Sequence, residues 1–380
     1  MRKKKILFLV NSLSFFISHR IEIAYAAKNK GYDIEVGYGE LGNTKTSILS
    51  KKGIRCFKIP LERQSINPFK EIVSLFFIYK VFIRLKPDIV HLITIKPYLY
   101  GGIAGKLARV PCLVSAVAGL GILFDEEKWR SFFYKKLLKP LFYFAFSHSN
   151  QIIIIQNQQN KKTLINWIGL DKKKFLLLPG SGVNISKFKN LSYSNKEITI
   201  CFASRLLKNK GVFDFISAAK IIKNSGIKAR FLIAGNLDPS NPDSLNKKDL
   251  NKIIKDKVVE YLNYQKDIPS LYARSHIICL PSFYGEGLPK ALIEGAAAGR
   301  AIITTNVPGC RDSLIPNKTG LLVPKKNPQK LAKAIRYLIE NPQIRIRMGK
   351  EGRKFAKKKF PVEKIISSHI KIYNDLIKNT

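Results

Sequence analysis

Apolar residues along this chain gather in short runs of strand length, separated by longer stretches of helical period. KKILFLV (4–10), DIEVGYG (33–39), IRCFKIP (54–60), DIVHLIT (88–94), CLVSAVAG (112–119), QIIIIQN (151–157) and KFLLLPG (174–180) are largely apolar and short enough for strands. The segments between them read as helices. In NPFKEIVSLFFIYKVFIRLKP, Asn67 is placed to cap a helix and Pro68 to occupy its first turn. After a polar patch, LSYSN (191–195), the alternation restarts with EITICFAS (197–204), KARFLIAG (228–235), VVEYLNY (258–264), HIICLPS (276–282) and AIITTNV (301–307). Helices over about 327–358 and 362–378 close the chain. Strands that alternate with helices pair in parallel. The expected class is therefore α/β, with two Rossmann-like doubly wound parallel-sheet domains facing each other across a cleft. The expected bounds are 1–190 and 196–359.

Composition supports two domains. The chain has 380 residues, 46% of them hydrophobic, enough for two cores. No apolar run approaches the ~20 residues of a membrane span. The opening MRKKKILFLVNS has the charge of a signal peptide, but its apolar part stops at Asn11 without a small-residue cleavage site, so it reads as a buried first strand. Five cysteines are scattered without metal-ligand spacing, which fits a reducing cytoplasm. A net charge of +41 is spread almost evenly over both halves. Either compositional bias or attraction to anionic lipid and phosphate-bearing substrates accounts for it.

Two glycine motifs are weak. GYGELG (37–42) has the letters of a dinucleotide fingerprint, but it follows the second strand and no acid ends a strand about 20 residues on. GGIAGK (101–106) is one residue short of a phosphate loop, and Leu107 stands where Ser or Thr is needed.

A stronger pattern lies in the second half. SFYGEGLPKALIEGAAAG (282–299) follows a strand and places Glu286 in a glycine loop and Glu294 in a small-residue helix that starts at Pro289. Free N–H groups at that helix start suit an anion. In SRLLKNKGVFDF (204–215), Arg205 and Lys210 sit five apart on a strand-to-helix turn. Arg brings a fork and Lys a point charge, a good seat for a diphosphate. Cations for phosphates and carboxylates for sugar or ribose hydroxyls, at strand ends of one sheet, read as a nucleotide-sugar site.

These motifs resemble those of the family 4 retaining glycosyltransferases of GT-B architecture, nearly end to end. The Glu-x₇-Glu motif EGLPKALIE is the most specific part, followed by GAAAGRAIITTNVPG, the Arg-x₄-Lys turn of SRLLKNKG, and LLLPGSGVNISKF (176–188). HLITIKPYLYGGIAGKLARVPCLVSAVAGLG is similar to the subgroup that extends lipid-linked sugars for surface polysaccharides or glycans, including hexosyl and hexosaminyl transferases acting on undecaprenyl-diphosphate sugars. The resemblance implies a helix over 360–380 crossing back to the first domain. It also implies a nucleotide-sugar donor such as a UDP-sugar, a polyprenyl-diphosphate-linked acceptor, front-face attack with retention, and no cofactor or metal. Arg205 and Lys210 would hold the donor diphosphate, Glu294 the ribose and Glu286 the transferred sugar, with the N–H groups of Gly287 and Leu288 near the phosphates. No Asp-x-Asp occurs, in keeping with cations that neutralise the leaving group.

The chain also departs from the family. NSLSFF (11–16) replaces a glycine pair, and Ala118–Gly119 occupies the neighbourhood of the usual histidine. His19 and Lys96 are the acceptor-side candidates, while His91 reads as core. The stretch EKWRSFFYKKLLKPLFYFAF (127–146) interleaves Trp129, Phe132, Phe133 and Tyr134 with Lys128, Arg130, Lys135, Lys136 and Lys139. That pattern suits an anionic membrane interface, or equally a core helix with a basic edge. The expected location is the cytoplasm, peripherally on the inner face of the cytoplasmic membrane. The alternatives are an NAD-dependent nucleotide-sugar-modifying enzyme, which needs GYGELG to work, and a nucleic-acid binder, for which no recognition motif is present.

Overall fold

The computed structural model describes residues 2–42, 44–63, 65, 67–120, 124, 129–188, 197–283 and 285–380. The chain divides into two compact units, 1–181 with 363–380 and 182–362. Unit 1 runs β1 (Lys5–Ser12), α1 (Leu13–His19), α2 (Ile21–Asn29), β2 (Asp33–Glu40), α3 (Ser47–Ser50), β3 (Arg55–Lys58), α4 (Pro68–Leu85), β4 (Ile89–Ile93), α5 (Ile95–Leu107), β5 (Cys112–Val117), α6 (Trp129–Phe146), β6 (Gln151–Ile155), α7 (Gln158–Ile168) and β7 (Phe175–Leu177). Unit 2 runs β8 (Thr199–Ala203), α8 (Val212–Asn224), β9 (Arg230–Ala234), α9 (Lys247–Lys255), β10 (Glu260–Tyr261), α10 (Ile268–Ala273), β11 (Ile277–Leu280), α11 (Lys290–Ala297), β12 (Ala301–Thr305), β13 (Gly320–Val323), α12 (Pro328–Glu340) and α13 (Pro342–Lys359). The last helix, α14 (Val362–Lys378), returns to unit 1 from Glu363 on.

Both sheets are parallel. Unit 1 has the order β3-β2-β1-β4-β5-β6-β7 and unit 2 the order β10-β9-β8-β11-β12-β13. In each, the order reverses beside the first strand, between β1 and β4 and between β8 and β11. At such a switch point the two flanking connections leave in opposite directions and open a crevice at the carboxyl ends.

Strand alternation builds the core of unit 1. Ile6, Phe8 and Val10 of β1 face one layer, with α1, α2 and α14, while Leu7 and Leu9 face the other, with α4, α5, α6 and α7. α14 contributes Ile365, Ile372, Tyr373 and Leu376 to the first layer. There the Tyr373 hydroxyl lies 2.6 Å from His91 Nδ1, and His369 stacks on His91 at 5.5 Å. Burial holds His91 well below its usual pKa and His369 down at about 3, so both are neutral core residues.

The glycines of the two weak motifs now have packing roles. Gly37 and Gly39 lie inside β2, and a Cβ on Gly39 would run into the carbonyls of Leu61 and Asn11. Gly101, Gly102 and Gly105 lie in α5, where a Cβ would meet Leu92, Ala145 and Leu113. Neither segment forms a phosphate-binding turn.

Several boundaries differ from the expected ones. β13 was not foreseen, because GLLV is short and follows a turn with Asn317 at φ 60°. The stretch 258–264 holds only the two-residue strand β10, an edge strand followed by Asn263 in the left-handed region. The helix expected over 327–358 is two helices, broken at Asn341–Pro342 because proline cannot continue the hydrogen-bond ladder. Leu13–His19 is a helix, and His19 ends it. Pro289 is the extended N-cap of α11, not its first residue. Asn67 does cap α4, its side chain accepting from Phe69 N at 3.0 Å, with Pro68 in the first turn. The patch 191–195, Lys128 and the side chains of Trp129, Arg130, Phe132, Phe133 and Tyr134 lie outside the described residues. Among the described residues no helix is long and apolar enough to cross a membrane.

Candidate active site

Four strand ends of unit 2 are drawn together by missing side chains. Gly211 follows the short turn Lys208–Lys210 and has φ +78°, and a Cβ there would collide with the carbonyl of Pro281 at the end of β11. Gly235, at the end of β9, presses on the carbonyl of Ser204 at the end of β8. Gly309, after β12, has φ +80° and lies against the carbonyls of Gly287 and Glu286. Only glycine allows these backbones to come so close. They converge at the switch point between β8 and β11.

Lys210 and Glu286 meet there. The Lys210 ammonium donates to Glu286 Oε1, and the side chains are only 12 and 11% exposed. Ser282, fully buried, places its hydroxyl 2.9 Å from the same carboxylate oxygen and 3.2 Å from the carbonyl of Asn209. Phe283 N donates to that carbonyl at 3.0 Å, tying the two loops together. Thr305 on β12 donates to the carbonyl of Ser282. Glu286 is therefore held by Lys210 from the turn after β8 and by Ser282 after β11, and Thr305 of β12 in turn holds Ser282. Gly287 and Leu288, which follow it, are both buried. Burial, with Glu286 adding to it, pushes the nearby Cys310 thiol up to about 12, which keeps it protonated.

Arg205 is placed differently. Its side chain is 48% exposed and donates to Asp238 Oδ2 at 2.5 Å. Asp238 sits in the loop after β9, its own N–H bound to Ser244 Oγ at 2.9 Å. In the same loop Asp243 accepts from Asn209 Nδ2 at 2.7 Å. Both ends of the Arg205–Lys210 turn are thus held by one acidic loop. Sequence reasoning did not single out Asp238, Asp243, Asn209 or Ser282. The only signal was two acids in a turn-rich stretch, DPSNPD, at a strand end.

Glu294 lies in α11 with Lys290 at 3.4 Å. Burial raises its carboxyl pKa, while Lys290 and Lys187 pull it the other way. It stands close enough to the buried Tyr272 to help burial raise that phenol.

The unit 1 candidates have partners of their own. The Lys96 ammonium donates to Glu71 Oε1 at 2.6 Å and to the carbonyls of Glu62 and Ser65 at 2.7 and 2.6 Å. Three acceptors match its three protons, so in this state the ammonium ties α4 to α5. His19 stacks on Phe15 at 4.2 Å, with Nδ1 2.6 Å from Ser18 Oγ.

A buried lysine paired with a fixed carboxylate stands at the carboxyl-end switch point of a parallel sheet, the place where open α/β sheets bind their ligands. The chain belongs to the glycosyl transferases: residues 184–355 match the family described as Glycosyl transferases group 1, and residues 5–157 match Glycosyl transferase 4-like. Its fold is GT-B. The protein is similar to the N,N'-diacetylbacillosaminyl-diphospho-undecaprenol alpha-1,3-N-acetylgalactosaminyltransferase of Campylobacter jejuni, with 28% identity over 88% of this chain and 89% of that one. It is also similar to the UDP-Gal:alpha-D-GlcNAc-diphosphoundecaprenol alpha-1,3-galactosyltransferase of Escherichia coli, with 28% identity over 86 and 85%. A solved glycosyltransferase from Rickettsia africae shares the fold with a TM-score of 0.79, 20% identity and full coverage of both chains. So does Anabaena HepE in complex with UDP and glucose, with a TM-score of 0.77 and 18% identity over 97 and 98%.

Proposed function

We propose that this glycosyltransferase moves a hexose or N-acetylhexosamine from a UDP-sugar to a saccharide linked to a polyprenyl diphosphate, with retention of anomeric configuration. The contact of Lys210 with Glu286 at the β8–β11 switch point carries the reading. An ammonium next to a carboxylate supports a reading in which the cation meets a leaving phosphate and the carboxylate a sugar. The activities of the Campylobacter and Escherichia relatives support the acceptor class, and the HepE complex supports UDP.

Unit 2 is the donor side and unit 1 the acceptor side. Lys210 and Arg205 hold the diphosphate, Glu294 accepts from the ribose, and the backbone N–H groups of Gly287 and Leu288 lie near the phosphates. Glu286 gains strength as positive charge develops on the anomeric carbon. The anomeric carbon–phosphate oxygen bond breaks as the acceptor hydroxyl attacks from the same face. The hydroxyl proton passes to the departing phosphate oxygen. His19 and Lys96 are the acceptor-side candidates, Lys96 only after it releases Glu71. The cations take the place of a metal. Work on a lipid-linked acceptor places the enzyme peripherally on an anionic membrane, at its cytoplasmic face.

A panel of UDP-glucose, UDP-galactose, UDP-N-acetylglucosamine and UDP-N-acetylgalactosamine, each offered with undecaprenyl-diphosphate monosaccharides, tests the reading. One donor should give an α-linked product, seen in the anomeric coupling. Transfer only to water-soluble acceptors, or a β-linked product, would overturn it.

A further inference from the structure

Helix α4 has two apolar sides, and only one is used by the core. Ser74, Ile78 and Phe82 turn inward. On the outer side Phe69, Ile72, Val73 and Phe76 are 81, 64, 58 and 55% exposed. Spacings of three and four put these four on a single ridge. Lys80 and the exposed Ile83 continue it, the Lys80 ammonium lying 4.4 Å over the Phe76 ring.

The charges of this helix are sorted as well. Its one acid, Glu71, is turned toward α5 and paired with Lys96 at 2.6 Å. Lys80, Arg84 and Lys86 stay exposed, and Lys70 at the other end is matched by Glu62 at 2.8 Å. Beyond α5 in the same layer, α6 exposes Leu137 and Leu141 beside Lys136 and Lys139. A soluble helix of this length would expose polar groups of both signs. Two copies docked through this ridge would set Lys80, Arg84 and Lys86 against themselves if the helices ran parallel, and against Lys70 and the apolar end at Phe69 and Ile72 if they ran antiparallel, with no acid on either ridge to meet them. An anionic lipid surface complements both features, with an acyl boundary for the ridge and phosphates for the cations.

We propose that α4 is the element that seats this protein on anionic lipid. Phe69, Ile72, Val73 and Phe76 enter the boundary between headgroups and acyl chains, and Lys80, Arg84 and Lys86 meet the lipid phosphates. The proposal deepens the membrane part of the function above and rests on it for its purpose, but its test needs no substrate.

The full chain is sedimented with vesicles of phosphatidylcholine alone and of phosphatidylcholine with phosphatidylglycerol. Wild type should pellet with the anionic vesicles and stay in solution with the neutral ones. Phe69→Ser with Phe76→Ser alters only exposed side chains and should leave the melting transition in place. It should lower anionic-vesicle partition by roughly 10- to 100-fold, the loss expected for two large side chains no longer withdrawn from water. Leu137→Ser with Leu141→Ser should have the smaller effect. Unchanged partition in the α4 variant, failure of wild type to bind anionic vesicles, or self-association that the α4 variant abolishes while vesicles leave it intact would each overturn the proposal. Transfer to an acceptor dissolved in detergent should be equal in wild type and α4 variant. If wild type binds vesicles through α4 yet transfers to no lipid-linked acceptor, the acceptor reading fails and the seat on lipid stands.

Discussion

Replacing Lys210 by methionine separates what its contact with Glu286 does for the fold from what it does for catalysis. The change keeps the apolar stem and removes the charge, leaving the Glu286 carboxylate with Ser282 as a neutral donor. Two unit charges about 4 Å apart interact by about 4 kcal/mol at an effective dielectric of ~20, and the cost of desolvating both offsets part of that. Breaking a buried pair from one side costs about 3–5 kcal/mol. Ser282 remains and a tenth of each side chain reaches water, so a loss of about 2–3 kcal/mol is expected here. For a unit of this size each kcal/mol moves the melting point by about 2–4 °C, giving a fall of about 5–10 °C. Glu286→Gln should cost less, because an ammonium is left beside a neutral amide. The double variant Lys210→Met/Glu286→Gln buries no charge and should recover most of the loss, a coupling of about 1.5–3 kcal/mol. Turnover should behave otherwise. Lys210→Met should lose about 10²–10³ in kcat, as when a preorganised charge on a leaving group is removed, and the double variant should be no faster. Denaturant unfolding of the four proteins and single-turnover transfer from the UDP-sugar measure both. Additive stability losses would mean that the pair does not exist in solution. Recovery of turnover in the double variant would mean that Lys210 acts on the fold alone.

Other expectations use the rest of the site. Glu294→Gln should mainly raise the donor KM, as lost uniform binding does. Its raised carboxyl pKa means the folded state holds the proton more tightly than the unfolded chain, so this group's contribution falls as pH rises from 4.5 through the folded value. Glu294→Gln should then melt no lower than wild type at pH 7.5, and a clear drop would show that the charge stabilises the fold. Arg205→Ala should lower turnover by about 10²–10³, whereas Asp238→Asn, which frees the guanidinium without removing it, should change donor affinity with a smaller effect on kcat; equal losses in both variants would make Arg205 a structural residue. Transfer should survive EDTA, and full loss with rescue by Mg²⁺ or Mn²⁺ would return the diphosphate to a metal.

The parts of this architecture that follow from local chemistry were legible in the chain. β1 to β9, β11 and β12 lie in short, largely apolar runs whose type needs no tertiary knowledge, and Asn67–Pro68 marks the start of α4 by capping chemistry alone. β13 was hidden because four residues after a turn carry no period. The break at Pro342 was passed over because apolar spacing continues across it. Arg205, Lys210, Glu286 and Glu294 were found by residue type at strand ends. That Lys210 should meet Glu286 while Arg205 meets Asp238 depends on strand order. β8 lies between β9 and β11, and only that order puts a residue at 205 beside 238 and one at 210 beside 286. Nor could periodicity say which side of α4 faces out, because the helix is apolar on both.

The return of α14 sets the order in which the molecule can be completed. Unit 2 has all its residues once Val362 has been made. Unit 1, begun with the first strand, still lacks Ile365, Ile372, Tyr373 and Leu376, and His91 has neither Tyr373 nor His369 beside it. Until then one layer of its sheet is short of a helix, and the polar ring of His91 lies next to an apolar gap. The half of the protein synthesised first is therefore the half finished last. A chain released before residue 363 would carry a complete second unit tethered to an open first one, a state with exposed apolar surface for chaperones to hold.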